Sequence, residues 1–141
     1  MNRLQDARCR ILVVDDNKDN ADSIAMLLRM QEAFEIKTAY DGKQALDVFD
    51  AFNPQVALLD LAMPKVNGYD LARAFKQRKP GIKLIAISGL AFPADIQRSQ
   101  EAGFVQHLVK PCDPSDLERA VRGECDHVKC NGVKGDVRRK T

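Results

Sequence analysis

Short, unbroken apolar runs alternate along most of the chain with longer segments that repeat apolar residues at helical spacing. The short runs are rich in Val, Ile and Leu, as is typical of strands that are buried on both faces of a sheet. The predicted strands cover residues 10–14, 34–39, 56–59, 82–87 and 104–109. The predicted helices cover residues 20–30, 45–52, 69–75, 93–102 and 113–122. Five strand–helix units in this order predict an α/β fold, a parallel sheet with helices on both faces.

Several residues predict where these elements begin and end. Asn17 or Asp19 could cap the first helix, and Asn53 followed by Pro54 should stop the second. Gly103 is expected to end the fourth helix. The second strand alternates polar and apolar residues, which favours a position at the edge of the sheet.

The regular pattern stops after residue 122. Residues 123–141 show neither a helical stripe nor a strand of useful length, and the chain ends in several basic residues. We therefore predict one domain over residues 1–122 and a flexible basic tail over residues 123–141.

Composition narrows the class of protein further. A chain of 141 residues suits a single domain, and its net charge of +2 is too small to argue for a nucleic-acid partner. No apolar run approaches the roughly 18 residues of a membrane span, and the N-terminus lacks the apolar segment of a signal peptide. We expect a cytoplasmic protein that uses neither membrane nor nucleic acid, with its four scattered cysteines as reduced thiols.

Polar side chains follow the predicted strands at the points where the strands end. Asp15 and Asp16 follow the first strand, Asp60 the third, Ser88 the fourth and Lys110 the fifth. Because the carboxyl ends of parallel strands form one edge, where ligands bind in open α/β sheets, these groups should lie close together. Three carboxylates at one place imply a divalent cation, and oxygen ligands favour Mg²⁺ or Mn²⁺ over zinc. The set predicts phosphoryl transfer to a carboxylate, with Asp60 as the nucleophile.

Five motifs in the same order give the chain a close resemblance to a known family. They are ILVVDDN, TAYDGKQAL, VALLDLAMPKVNGYDLAR, IAISG and FVQHLVKP, and they span about residues 10–122. The sequence resembles the receiver domains of two-component response regulators. That resemblance implies a flavodoxin-like, doubly wound (βα)5 fold with strand order 2-1-3-4-5.

The resemblance assigns a metal site and a phosphorylation site. Asp60 matches the aspartate that accepts the phosphoryl group. Asp15 and Asp16 match the acidic pair that holds Mg²⁺ together with Asp60, and the backbone carbonyl of Ala62 matches a further metal ligand.

The resemblance also assigns the residues that would hold the phosphoryl group. Ser88 matches the hydroxyl that hydrogen-bonds this group and shifts toward it, and Lys110 matches the lysine that pairs with one of its oxygens. The donor would be a phosphohistidine on a histidine kinase or on a histidine phosphotransfer protein. Such a module phosphorylates itself without turning over a free substrate. Its output would pass through protein contacts on the face formed by the fourth helix, fifth strand and fifth helix.

Two positions depart from the family pattern. His107 stands at the switch position on the fifth strand, where the family usually has Tyr or Phe. With a histidine here, the sequence is more similar to receivers joined to hybrid histidine kinases. Leu90 is apolar where many members are polar, and we hypothesise that it shields the acyl phosphate from water. A stand-alone regulator and the receiver of a hybrid kinase both fit the sequence.

Two other functions remain as alternatives. A phosphohydrolase with an aspartyl nucleophile uses similar residues, but it usually needs a second aspartate where this chain has Ala62. A binding module that is no longer phosphorylated would signal by contacts alone, and the complete set of site residues argues against it.

Overall fold

Five strands alternate with five helices in the computed structural model, which describes residues 8–61, 67–89, 92–110 and 113–130. The strands are β1 (Cys9–Val14), β2 (Phe34–Ala39), β3 (Val56–Asp60), β4 (Lys83–Ser88) and β5 (Phe104–Val109). The helices are α1 (Lys18–Arg29), α2 (Gly42–Phe52), α3 (Gly68–Arg78), α4 (Pro93–Glu101) and α5 (Pro114–Cys130). No helix within the described ranges combines the length and the apolar character that a membrane span requires.

The strands form one parallel sheet in the order β2-β1-β3-β4-β5. This topology confirms the predicted fold class and strand order, and β2 lies at an edge as its alternating pattern predicted. The order of the strands reverses direction between β1 and β3, the arrangement that opens a crevice at the carboxyl ends of open α/β sheets.

Two apolar clusters cover the two faces of the sheet. On one face, α1 and α5 pack against the side chains of residues such as Ile11, Val13 and Leu58. On the other face, α2 and α3 pack against residues such as Leu12 and Leu59. The central strands are buried on both sides, which is why their sequences read as continuous apolar runs rather than alternating ones.

The ends of the helices follow the predicted signals. The side chain of Asn17 accepts a hydrogen bond from the backbone N–H of Asn20 and so caps α1. Asn53 ends α2 in the left-handed conformation, with φ of 52°. Gly103 follows α4 with φ of 107°, a conformation that favours glycine, so its predicted role as a stop is confirmed.

The last helix is longer than the sequence pattern predicted. It continues to Cys130, so the prediction of a flexible segment that begins at Gly123 is wrong for residues 123–130. The apolar stripe of Leu117 and Val121 is continued by Cys125, which is buried, at the next position of the same helical spacing. A cysteine was not counted as apolar in the pattern, although free or bonded cysteine is among the most buried residue types. The rest of the predicted tail, residues 131–141, lies outside the described residues.

Two of the four cysteines are not free thiols, contrary to prediction. Cys9 at the start of β1 and Cys125 in α5 form a disulfide that joins positions 116 residues apart, with a Cα–Cα distance of 5.8 Å. The spacing of cysteines in the sequence did not reveal this pair, because only the packing of the last helix against the first strand brings them together. Cys112 lies outside the described residues.

Candidate functional site

The register of the strands brings the predicted site residues to one edge of the sheet. Val14 pairs with Leu59 across β1 and β3, so the residues that follow them, Asp15 and Asp60, are neighbours. Asp60 in turn pairs with Ile87 of β4, and Ser88 ends that strand one residue further along. This edge is therefore polar although the strands that lead to it are almost wholly apolar.

Lys110 forms an ion pair with Asp60, with 2.8 Å between Nζ and Oδ2. The backbone of this lysine is held in place as well, because its N–H donates to the carbonyl of Ser88 at 2.8 Å. The side chain of Asp60 is 8% exposed and that of Lys110 is 33% exposed, so the lysine reaches from solvent over a nearly buried carboxylate. The pair neutralises one charge that would otherwise be costly to bury.

Asp15 is the more deeply buried carboxylate, with 2% of the residue exposed. Its two oxygens accept hydrogen bonds from the backbone N–H of Asn17 at 3.0 Å and from the side-chain amide of Asn20 at 2.9 Å. Burial raises the pKa of Asp15, and the neighbouring Asp60 raises it further through its charge and a hydrogen bond, while the bonds from Asn17 and Asn20 oppose the rise. The sequence suggested Asn17 only as a helix cap, and its contact with Asp15 was missed.

Of the other residues predicted for the site, the structure describes Ser88 and Asp16. Ser88 is buried at the end of β4, and Asp16 is half-buried beside Asp15. Ala62 and Leu90 lie outside the described residues, so their predicted roles remain predictions.

Asp15 and Asp60 lie close enough to interact through charge and a hydrogen bond. Within the described ranges, no group of three or more His, Cys, Asp or Glu side chains has the spacing of a metal site. The predicted three-carboxylate cluster with Asp16 therefore remains a prediction.

The pair of carboxylates does fit a hard divalent cation. Asp15 and Asp60 are both nearly buried, the charge of Asp60 raises the pKa of Asp15, and Lys110 is paired with Asp60. A divalent ion would relieve this repulsion, and Mg²⁺ commonly uses one or two carboxylates and completes its shell with water and phosphate oxygens. The chemistry of the donor set thus agrees with the predicted Mg²⁺.

The third helix begins unusually close to the end of β3. A Cβ atom on Gly68 would lie 2.8 Å from Cδ2 of Leu61 and 3.4 Å from the backbone oxygen of Asp60. The absence of a side chain at Gly68 therefore lets the start of α3 lie against Leu61 and the backbone of Asp60.

His107 of β5 is hydrogen-bonded to the fourth helix. Its Nδ1 lies 3.1 Å from the hydroxyl oxygen of Ser99, which is 1% exposed. That hydroxyl donates to the carbonyl of Ile96 at 2.7 Å, an arrangement that favours the tautomer in which the ring donates from Nδ1. The sequence places a polar ring at this position but did not identify Ser99 as its partner on α4.

Comparison with known proteins agrees with this geometry. A family model described as the response regulator receiver domain matches residues 11–122. The chain belongs to the response regulator receiver family. The matched range contains the predicted site residues, from Asp15 to Lys110.

Proteins of different total length resemble this receiver. An uncharacterized 14.6 kDa protein of Leptolyngbya boryana is 33% identical over 121 residues, which cover 84% of this chain and 92% of that protein. The DNA-binding response regulator MtrA of Mycolicibacterium paratuberculosis is 33% identical over 115 residues, which cover 82% of this chain and 50% of MtrA. The receiver thus spans about half the length of several curated relatives, MtrA among them.

Solved structures show the same fold. A CheY-like receiver domain protein from Methanospirillum hungatei superposes with a TM-score of 0.81 at 28% identity, over 89% of this chain and 99% of that one. A receiver domain from Bermanella marisrubri has a TM-score of 0.72 at 33% identity, over 80% of this chain and 94% of that one.

Proposed function

We propose that this receiver accepts a phosphoryl group from a phosphohistidine onto Asp60, with Mg²⁺ as cofactor, and signals through contacts with other proteins. The donor would be a histidine kinase or a histidine phosphotransfer protein, and the proposed compartment is the cytoplasm. The single observation that carries the proposal is the 2.8 Å ion pair of Lys110 with the nearly buried Asp60, directly beside the buried Asp15.

The reaction requires one oxygen of Asp60 to attack phosphorus. A phosphorus–oxygen bond forms, the phosphorus–nitrogen bond to the donor's imidazole breaks, and the imidazole leaves with the electron pair. Lys110 already lies within hydrogen-bond distance of the attacking carboxylate, so its ammonium is positioned to interact with a phosphoryl oxygen as negative charge builds there. The buried hydroxyl of Ser88 lies at the same edge and can donate a hydrogen bond to a second oxygen.

The metal would be held by Asp15, Asp16 and Asp60, with the carbonyl of Ala62 as a further proposed ligand. When bound, Mg²⁺ supplies positive charge that stabilises the phosphoryl oxygens during in-line transfer. The hydrogen bonds from Asn17 and Asn20 orient the carboxylate of Asp15 before any ion arrives, which lowers the entropic cost of forming the metal site.

The output surface that we propose consists of α4, β5 and α5. The bond between His107 and Ser99 joins β5 to α4 across this surface. A movement of the strand would therefore be transmitted to the helix through a directional contact, in place of the aromatic ring that is usual at this position. We propose that His107 is the coupling residue between Ser88 and this surface.

The chain offers little support for turnover of a free phosphate ester. An aspartyl phosphohydrolase needs an acid–base group close to its nucleophile to protonate the leaving group. Ala62 stands where that second aspartate would be, so the aspartyl phosphate should accumulate instead of being hydrolysed at once.

The proposal is tested by incubating the protein with phosphoramidate and Mg²⁺ and measuring its intact mass. We expect a gain of one phosphoryl group in the wild type, and none in Asp60→Asn or in the presence of EDTA. Lys110→Ala should be labelled about 100- to 1,000-fold more slowly, because one charge-stabilising group is lost. Asp47→Asn, an equivalent change at an exposed carboxylate, should behave as the wild type does.

Two results would contradict the proposal. Labelling of Asp60→Asn to the same extent as the wild type would assign the phosphoryl group to another residue. A wild type that stays unlabelled with phosphoramidate, and also with a phosphorylated histidine phosphotransfer protein, would favour a binding module that works without phosphorylation.

A further inference from the structure

The disulfide between Cys9 and Cys125 lies at the edge of the sheet opposite to Asp60. Cys9 begins β1 and pairs with Phe34, whereas Asp15 follows the other end of the same strand. Six residues of strand separate the two edges, about 17–20 Å at the usual rise per residue. The cross-link is therefore too distant to take part in chemistry at the carboxylates.

The cross-link attaches a part of the chain that lies beyond the family match. The match ends at residue 122, while α5 continues to Cys130. We call residues 123–130 the α5 extension. Its contacts with the sheet include the disulfide of Cys125 and a hydrogen bond of 2.8 Å between Gln106 and Glu124. The disulfide is thus one of two described attachments of a helical segment that lies beyond the matched range.

The α5 extension has weak helix-forming tendency of its own. It begins at Gly123, and nothing lies within 4 Å of the position that a Cβ atom would take there, so no close packing demands a glycine. A glycine inside a helix costs about 1 kcal/mol relative to alanine, and Asp, His, Val and Cys also rank low as helix formers. Stability of this segment must therefore come from its attachment to the sheet rather than from local propensity.

Both sulfur atoms are shielded from solvent in the closed structure. Cys9 is 1% exposed and Cys125 is 2% exposed, and both belong to the apolar cluster on the α1 and α5 face. An attacking thiolate must reach a sulfur atom in thiol–disulfide exchange, so exchange at this pair requires the α5 extension to open locally first.

We propose that Cys9 and Cys125 form a reversible redox pair that controls whether the α5 extension is docked on the sheet. The inference goes beyond the proposed phosphoryl transfer and does not depend on it. The oxidant that forms the Cys9–Cys125 bond would be a cellular disulfide, either of a small thiol compound or of another protein. Structural disulfides are rare in reducing compartments, where those that occur are usually transient or redox-sensing.

The chemistry balances through two exchange steps. The thiolate of one cysteine attacks the external disulfide, forms a mixed disulfide and releases one external thiolate. The thiolate of the second cysteine then attacks the mixed disulfide, forms the Cys9–Cys125 bond and releases the second external thiolate. The two protons lost by the cysteines end on the released thiols, and a dithiol reductant reverses both steps.

The first measurement counts thiols in the full-length protein. The chain is equilibrated in mixtures of reduced and oxidised glutathione, quenched with acid, alkylated under denaturing conditions and weighed intact. We expect two of the four cysteines to be protected in oxidising mixtures, with peptide mapping that joins Cys9 to Cys125, and all four to be alkylated after dithiothreitol. Four reactive thiols in every mixture would overturn the proposal.

The second measurement follows hydrogen exchange of the backbone by mass spectrometry. Peptides that cover the α5 extension should exchange about tenfold faster or more in the reduced wild type than in the oxidised one, because local opening becomes easier. Peptides from β3 should not change. Equal exchange of the extension in the two states would overturn the proposal even if the cross-link forms.

Two variants complete the test. Cys9→Ser should exchange as the reduced wild type does in every glutathione mixture, whereas Cys130→Ser should keep the dependence on redox state. If Cys9→Ser does not fold, the comparison of the reduced and oxidised wild type decides alone. None of these readouts involves Asp60, so a failure of the proposed phosphoryl transfer would be seen separately.

Discussion

Replacing Asp15 with asparagine should stabilise the metal-free protein while it weakens the metal site. Asp15 and Asp60 follow paired positions of neighbouring strands, which lie about 5 Å apart, and the hydrogen bond between their side chains places the charges at that distance or closer. At an effective dielectric constant of about 20, two unit charges at that distance repel by roughly 3 kcal/mol. Asp15→Asn removes this repulsion and the cost of burying a charge without changing the size of the side chain.

Two opposing effects reduce the gain. An asparagine keeps only one acceptor oxygen, so one of the bonds from Asn17 and Asn20 now reaches a neutral acceptor. The new NH2 group faces the other donor, and the amide of Asn20 must turn over to accept from it, so the two changes together cost about 1 kcal/mol. Lys110 already neutralises part of the charge of Asp60, so less repulsion remains for the substitution to remove. We expect a net gain of about 1–2 kcal/mol in the free energy of unfolding at neutral pH without metal.

The gain should depend on pH in a defined direction. The pKa of Asp15 is raised in the folded state, chiefly by burial and then by Asp60. The folded protein therefore binds the proton at a higher pH than the unfolded chain does, and its stability falls as pH rises from the ordinary carboxyl pKa through the raised one. Above the raised pKa, the folded protein bears the full cost of keeping Asp15 ionised. The stability advantage of Asp15→Asn should therefore be largest at neutral pH and shrink under acid conditions.

Urea unfolding followed by far-ultraviolet circular dichroism measures these effects, since the chain contains no tryptophan. The titrations are done with EDTA at several pH values and at one fixed redox state. Added Mg²⁺ should stabilise the wild type more than Asp15→Asn. As a control, Asp47→Asn, at a side chain that is 70% exposed, should change stability by less than about 0.5 kcal/mol. A lower stability of Asp15→Asn at neutral pH, or a gain that is independent of pH, would refute the reasoning.

Substitutions at three further positions test the packing and the helix contacts. Phe75→Ala should lower the free energy of unfolding in urea by about 3–5 kcal/mol, because Phe75 is fully buried and the centre of its ring lies 4.3 Å from that of Phe49. A loss below about 1 kcal/mol would contradict this packing. Asn67→Ala should cost about 1 kcal/mol, since its side chain caps α3, whereas Asn67→Asp should cost little in the same assay. Ser99→Ala should cost about 1 kcal/mol and change the nitrogen chemical shifts of the His107 ring in NMR spectra, and unchanged shifts would argue against the hydrogen bond.

The sequence predicted the architecture because its signals are local. Buried parallel strands must be apolar on both faces, and the helices that precede β3 and β5 end at Asn53 and Gly103, which have positive φ angles. The same signals located Asp60 and Lys110 at strand ends, and parallel topology then implied that they meet. The resemblance to receivers supplied the strand order, which the hydrophobic pattern alone does not determine.

The extent of α5 was not predicted, because the pattern was judged by aliphatic residues alone. Cys125 occupies the helix position that an aliphatic residue would otherwise take, and the helix continues past it. Propensity also argued for an end at Gly123, and tertiary attachment overrides that weak preference.

The sequence by itself thus determined the alternation of strands and helices, the polar edge of the sheet and the identity of its charged residues. These features follow from the period of the apolar residues and from the rule that parallel strands end on one side. Only the tertiary structure decided that Asn20 holds Asp15, that Ser99 holds His107 and that Cys9 meets Cys125. The physical reason is that each of these contacts depends on the rotation and tilt of a helix against the sheet. Side chains throughout the core fix that placement together, and no single stretch of sequence encodes it.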